Sequence, residues 1–351
     1  MVLQKRVTSV ALMLIVAVGA VFAGGESEDG EGFVIGISNP WVGSEWRTQM
    51  VDNVLAAAQP YIDSGLIREV IVQSFDTTLE GQIDQVRNLM GAGADLILIN
   101  PADARAFNPV VREAAQRGVI VIGTDTELAS PDAINVAIDQ SEWARISARW
   151  LAEKIDYQGN IVTINGIAGH PANTARVGGY QDVFAQHDGI TILNETNADW
   201  DNARSQATMQ SLLATYPDID GVWVQDGMAE GALRALLAAN RRDIPVTGEA
   251  RVGYLHLWSE EGIDGIGVAN PPGAMTSAFY VGLNLLRGRQ LRDDVLEGPY
   301  DNTIYVPIPV VVTNVNFDTI YRATREFPDY YSVDGSLTDA QAEQYFVPES
   351  Q

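Results

Sequence analysis

Trp41, Asp125, Arg176, Trp200, Asp226 and Asn270 each follow a short apolar, strand-like run, in the loop or first helical turns beyond it. Together these residue types can recognise a neutral polyol. An indole presents a large rigid apolar face to the C–H side of a pyranose and leaves the hydroxyls for polar partners. A carboxylate accepts hydrogen bonds from two adjacent hydroxyls, a guanidinium donates through its fork, and an amide does both. In that scheme Trp41 and Trp200 sandwich a ring, Asp125 and Asp226 accept, Arg176 donates, and Asn270 does either. Trp46, near the start of the helix after Trp41, is either a second cleft aromatic or a core residue.

Six residues so far apart in sequence meet only if the fold gathers the ends of many strands. The spacing predicts strands at Phe33–Ile37, Val70–Ser74, Asp95–Asn100 and Val119–Gly123, alternating with amphipathic helices. Helix Glu45–Gln59 carries Met50, Val51, Val54 and Leu55. In the next helix Leu79, Ile83, Val86, Leu89 and Met90 step by three and four. The same alternation resumes after helix Ser141–Ile155, through strands near Asn160–Ile164, Thr191–Asn194, Gly221–Val224, Ile244–Thr247 and Ile263–Val268. Such alternation dictates α/β architecture with doubly wound parallel sheets. Ligands of these sheets bind beyond the carboxyl ends of the strands. Arg176 falls early in a helix, near the positive end of its dipole, where oxygen ligands are favoured.

Composition removes several function classes. The chain of 351 residues has a formal charge of −24, which opposes binding to nucleic acid or to an anionic membrane. Cysteine is absent, so no disulfide or thiol chemistry is available. His170, His187 and His256 show no metal-ligand spacing, and no Gly-x-Ser-x-Gly elbow occurs. No catalytic residue, metal site or cofactor is therefore expected, and the protein reads as a binder, not an enzyme. At the N-terminus Lys5 and Arg6 precede an apolar run from Val10 to Val21, too short for a membrane span, and Val21-Phe22-Ala23 fits a cleavage site. Residues 1–23 are predicted to be a cleavable signal peptide without a lipid anchor. Residues 24–32 form an acidic, glycine-rich lead-in expected to be disordered.

The stretch Gly166-Ile-Ala-Gly169, a polar loop, Arg176, then Gly178-Gly179-Tyr180 resembles the second-lobe loop of ribose-type periplasmic sugar-binding proteins. These are the type I solute receptors of ABC transporters, related in fold to LacI-type repressors. Asn39-Pro40-Trp41 is similar to that family's first-loop motif, and Asn100-Pro101-Ala102-Asp103 to the turn after its third strand. The resemblance runs from about Gly32 to Thr313. It implies two lobes joined by a three-crossing hinge: residues 33–138 with 271–304, and 139–270 with 305–351. It places Asn39, Trp41, Asp125, Arg176, Trp200, Asp226 and Asn270 at ligand positions. Thr126 stands where the family's pattern has arginine. The segment Gly248-Glu249-Ala250-Arg251 lacks the usual aspartate, so that Glu249 or Arg251 substitutes for it. The implied protein is a monomeric periplasmic receptor that closes on a monosaccharide or polyol and delivers it to an ABC transporter permease. The same fold also takes amino acids, nucleosides or autoinducers, and serves chemoreception. The aromatic-rich tail from Asn314 to Gln351 lies outside the common pattern and is expected on the second lobe or the hinge.

Overall fold

The apolar runs that alternate with helices along the chain become sheet centres buried on both faces, as parallel strands must be. Residues 32–348 are described by the computed structural model; the predicted signal peptide and the lead-in up to Glu31 lie outside them. The first half of the chain forms β1 (Phe33–Asn39), α1 (Glu45–Asp63), β2 (Ile67–Ser74), α2 (Leu79–Gly91), β3 (Leu96–Ile99), α3 (Asn108–Gln116), β4 (Ile120–Gly123) and β5 (Ile134–Ala137). Then come α4 (Gln140–Lys154), β6 (Gly159–Asn165), α5 (Pro171–Phe184), β7 (Ile190–Asn197), α6 (Asn202–Thr215) and β8 (Gly221–Val224). The remainder is α7 (Ala229–Ala238), β9 (Thr247–Glu249), α8 (Val252–Glu261), β10 (Ile266–Val268), α9 (Ala274–Leu286), β11 (Thr303–Tyr305), β12 (Val311–Val312), α10 (Phe317–Thr324) and α11 (Asp339–Ala342).

Two lobes result. The first is built on a six-stranded sheet in the order β11-β5-β4-β3-β1-β2, with every neighbouring pair parallel. The second holds the parallel set β7-β6-β8 and the set β12-β10-β9, joined by a parallel bridge between Val222 and Val246. Among the named strands of the described residues only β12 runs antiparallel, at an edge against β10. In each lobe the strand order steps outward in both directions from the first strand, which leaves a crevice at the strands' carboxyl ends.

The chain passes between lobes after β5, after β10 and after β11, the three crossings that the resemblance implies. The tail adds a fourth. Expected as a whole on the second lobe or hinge, it is divided in the structure. α10 packs on α8, and Phe317 lies against Trp258 with ring centroids 4.8 Å apart. Beyond Val333 the chain crosses to the first lobe. Tyr61 on α1 donates to Asp339 at 2.7 Å, α11 packs on α9, and Phe346 is buried. The physical reason is local. Thr338 and Gln341 close a capping box at the start of α11, and Ala342 and Phe346 then have an apolar seat on the first lobe's core.

Candidate functional site

Three of the expected residues are turned into the crevice by unusual backbone. Asp125 (φ 62°), Trp200 (φ 58°) and Asp226 (φ 56°) occupy the left-handed region, each just beyond the end of its strand. Aspartate tolerates this conformation; for tryptophan it is an outlier that the surroundings must enforce. Gln225 does so in part, accepting from Trp200 Nε1 at 3.1 Å while its own amide donates to Asn173 at 2.8 Å. Gly166 does the rest, since a Cβ there would lie 2.1 Å from the indole. Arg176 projects from the second turn of α5, which begins at Pro171 with His170 as its cap. Its guanidinium lies 4.4 Å over the Trp143 ring, and its Nε donates to Gln140 at 2.8 Å.

These side chains line one cavity of about 800 Å³ between the lobes. Trp41, Trp46 and Asp125 come from the first lobe, Arg176, Trp200 and Asp226 from the second, and Asn270 from the crossing after β10. Trp46 Nε1 donates to the Asn270 carbonyl at 2.8 Å, so Trp46 is at once a wall residue and a tie to that crossing. Two expected contacts are not on the wall. Asn39 is 1% exposed and works from behind, accepting from Arg47 Nη1 at 2.8 Å and donating to the Trp41 carbonyl at 2.9 Å. Glu249 is fully buried behind Arg251, which takes the wall position between it and Asp226.

Arg47, Arg251 and His170 also line the cavity and were not expected there, apart from Arg251 as an alternative to Glu249. Arg47 had one sequence signal. It lies beside Trp46, Met50, Val51 and Val54 on the buried face of α1, a charge where an apolar residue belongs. Arg47, Arg176 and Arg251 thus lie near Asp125 and Asp226 on the wall. Burial with the like charge of Asp226 raises Asp125, against the pull of Arg47 and Arg176. Burial would raise Asp226 too, but a hydrogen bond from Glu249 and the Arg176 and Arg251 cations together hold it at about 2. Burial, together with the neighbouring Asp226 carboxylate, pushes Glu249 well above the usual range despite the Arg251 cation. Burial and the Arg47 and Arg176 cations depress His170 to about 4. Arg176 Nη1 is 3.6 Å from Asp226, yet it and Arg251 Nε are buried without a hydrogen-bond partner. Unmade donors beside a cavity are donors for a ligand's oxygens.

A family profile for the periplasmic binding protein domain matches residues 35–290. The chain belongs to this family. Periplasmic binding proteins of this kind are binding components, not enzymes. Among curated relatives, the ribose import binding protein RbsB of Salmonella typhimurium is 33% identical over 169 residues, 48% of this chain and 57% of that protein. The match thus spans little more than half of that relative's length. The xylitol-binding protein of Mycolicibacterium smegmatis is 27% identical over 260 residues, 71% of this chain and 70% of that one. Among solved structures, an ABC transporter solute binding protein from Thermobispora bispora superposes with a TM-score of 0.76 at 23% identity, over 89% of this chain and 94% of its own. That likeness is one of fold. Among the described residues of this periplasmic binding protein, no helix is long and apolar enough to cross a membrane.

Proposed function

We propose that this protein is an extracytoplasmic solute receptor of an ABC transporter, acting as a monomer, that binds a monosaccharide or polyol between its lobes and presents it to a permease. One observation carries the reading. Three tryptophans and a set of charged groups from both lobes line a single cavity, and two of its buried guanidinium nitrogens have no hydrogen-bond partner. Trp200 and Trp41 supply the apolar faces that a sugar ring needs, and Asp125 and Asp226 the acceptors for its hydroxyls. Arg47, Arg176 and Arg251 donate to ring and hydroxyl oxygens, and Asn270 completes the set. Relatives named for ribose and xylitol agree with this class. Because ligand contacts would come from both lobes, binding favours their approach.

The test is a thermal-shift screen against pentoses, hexoses, polyols, nucleosides and amino acids. A ligand that binds only the folded state raises the melting temperature by mass action. A shift with monosaccharides or polyols supports the reading. A shift confined to amino acids or nucleosides keeps the receptor and overturns the sugar.

A further inference from the structure

The tail lies beyond the family match at residues 35–290, yet it reaches the cavity. Asp329 and Tyr330 are on its wall. Both are held at the start of α8, where Gly253 N–H donates to the Asp329 carbonyl at 2.8 Å and Val252 N–H to the Tyr331 carbonyl at 3.0 Å. The Asp329 carboxylate meets His256 at 2.7 Å. Three residues on, Ser332 is fully buried and bonded to both lobes. From the second lobe, Glu249 accepts from its hydroxyl at 2.8 Å, and Arg251 pairs with it in an antiparallel bridge. From the first lobe, Gln49 on α1 binds its backbone on both sides, donating to the Ser332 carbonyl at 3.0 Å and accepting from its N–H at 3.2 Å. Asp334 then takes a hydrogen bond from Asn53 on α1 and one from Gly273 N–H at the crossing after β10.

A side-chain amide that grips a backbone in this two-sided way imitates strand pairing. Here it pairs a residue of one lobe's edge with a helix of the other. Ser332 is also two side chains from the cavity, through Glu249 and Arg251. We propose that Asp329–Asp334 is an inter-lobe strap belonging to the ligand machinery: it completes the cavity wall with Tyr330 and, through Ser332, sets how far the lobes separate. The role assigned to that wall rests on the receptor reading above; the control of lobe separation does not. Opening the crevice must break the Gln49–Ser332 pair or the bonds that tie Ser332 to Glu249 and Arg251. The three peptide crossings limit rotation only by their own length, whereas the strap adds a restraint that one pair of side chains can release.

The experiment compares inter-lobe distances in the ligand-free protein. The sequence has no cysteine, so nitroxide labels at Glu80→Cys on α2 and Gln210→Cys on α6 report without background. Dipolar spectroscopy is run on this pair alone and with Gln49→Ala/Asn53→Ala added. Neither of the latter two residues lines the cavity. The strap predicts a longer and broader distance distribution in the quadruple variant, with a melting temperature near that of the labelled parent. Superimposable distributions overturn it, and so does a lower melting temperature with unchanged distances, which would make the contact packing alone. If the quadruple variant does not fold, Gln49→Ala alone is read in the same way. A parent that no sugar stabilises would remove the sugar assignment and leave this comparison intact.

Discussion

Arg176 shows how closely binding and stability are interwoven at single residues. It is 1% exposed, lies over Trp143 and holds Gln140, so it is a structural member as well as a donor. Arg176→Ala is expected to abolish tight sugar binding and also to cost on the order of 3 kcal/mol of stability, because Asp226 loses one of its two cations. Calorimetric titration and denaturant melts together separate the two losses. Trp200→Ala is expected to weaken binding by about 1–3 kcal/mol, the range for a buried aromatic contact, and Trp41→Ala by less. Trp41 stands 39% exposed at the rim; equal effects on the two affinities would contradict the difference in burial. His170 gives a pH signature. Its folded value of about 4 lies below the ordinary 6.5, so the unfolded chain takes up the proton first. The stability it contributes is complete above pH 6.5 and is lost as pH falls through 4. His170→Asn, which keeps a capping side chain on α5, should remove up to about 3 kcal/mol of pH dependence across that window in urea melts. Of these residues, sequence showed the ones that end a strand. His170 escaped because a capping residue at a helix start is ordinary, and Arg47 escaped although its place among apolar residues of α1 could have shown it.

At the scale of elements, α5 carries Arg176 and α4 supports it through Gln140 and Trp143, and two adjacent glycines on α5 have opposite duties. A Cβ on Gly178 meets nothing, whereas one on Gly179 would lie 2.3 Å from the Ser141 carbonyl and 3.0 Å from Ala144. Gly178→Ala should therefore stabilise by about 0.5–1 kcal/mol through helix propensity. Gly179→Ala should destabilise by about 1–3 kcal/mol by prising α5 off α4. Melting curves of the pair check both signs. The sequence pattern alone could not tell these glycines apart, because the difference lies in a neighbouring helix. It also ended α1 before Pro60, whereas the helix runs on to Asp63. Propensity forbids that extra turn; packing of Tyr61 edge-on against Phe279 and Tyr280 enforces it. β3 was read well for the converse reason, since the buried run Leu96–Ile99 carries its environment in its composition, whereas β9, expected at Ile244–Thr247, lies at Thr247–Glu249.

For the whole molecule, the alternation of strands and helices made the doubly wound parallel sheets and a crevice at their carboxyl ends legible. The tail was not legible, because short elements at a chain's end take their place from the surface they meet. Closure on ligand should appear as a smaller radius of gyration in solution scattering once a stabilising sugar is added; coincident curves would count against hinge bending. The left-handed backbone at positions 125, 200 and 226 has a consequence for how such a receptor diversifies. Valine, isoleucine and threonine are barred from these three places by their branched carbons, while glycine, asparagine and aspartate enter without strain. Single substitutions at Asp125 and Asp226 can subtract or swap polar groups but do not admit β-branched apolar side chains, whereas Trp200 holds the conformation because its surroundings enforce it. A lineage adapting this scaffold to a different solute would therefore record its history at Arg47, Arg251 and Tyr330, where the main chain imposes no such filter.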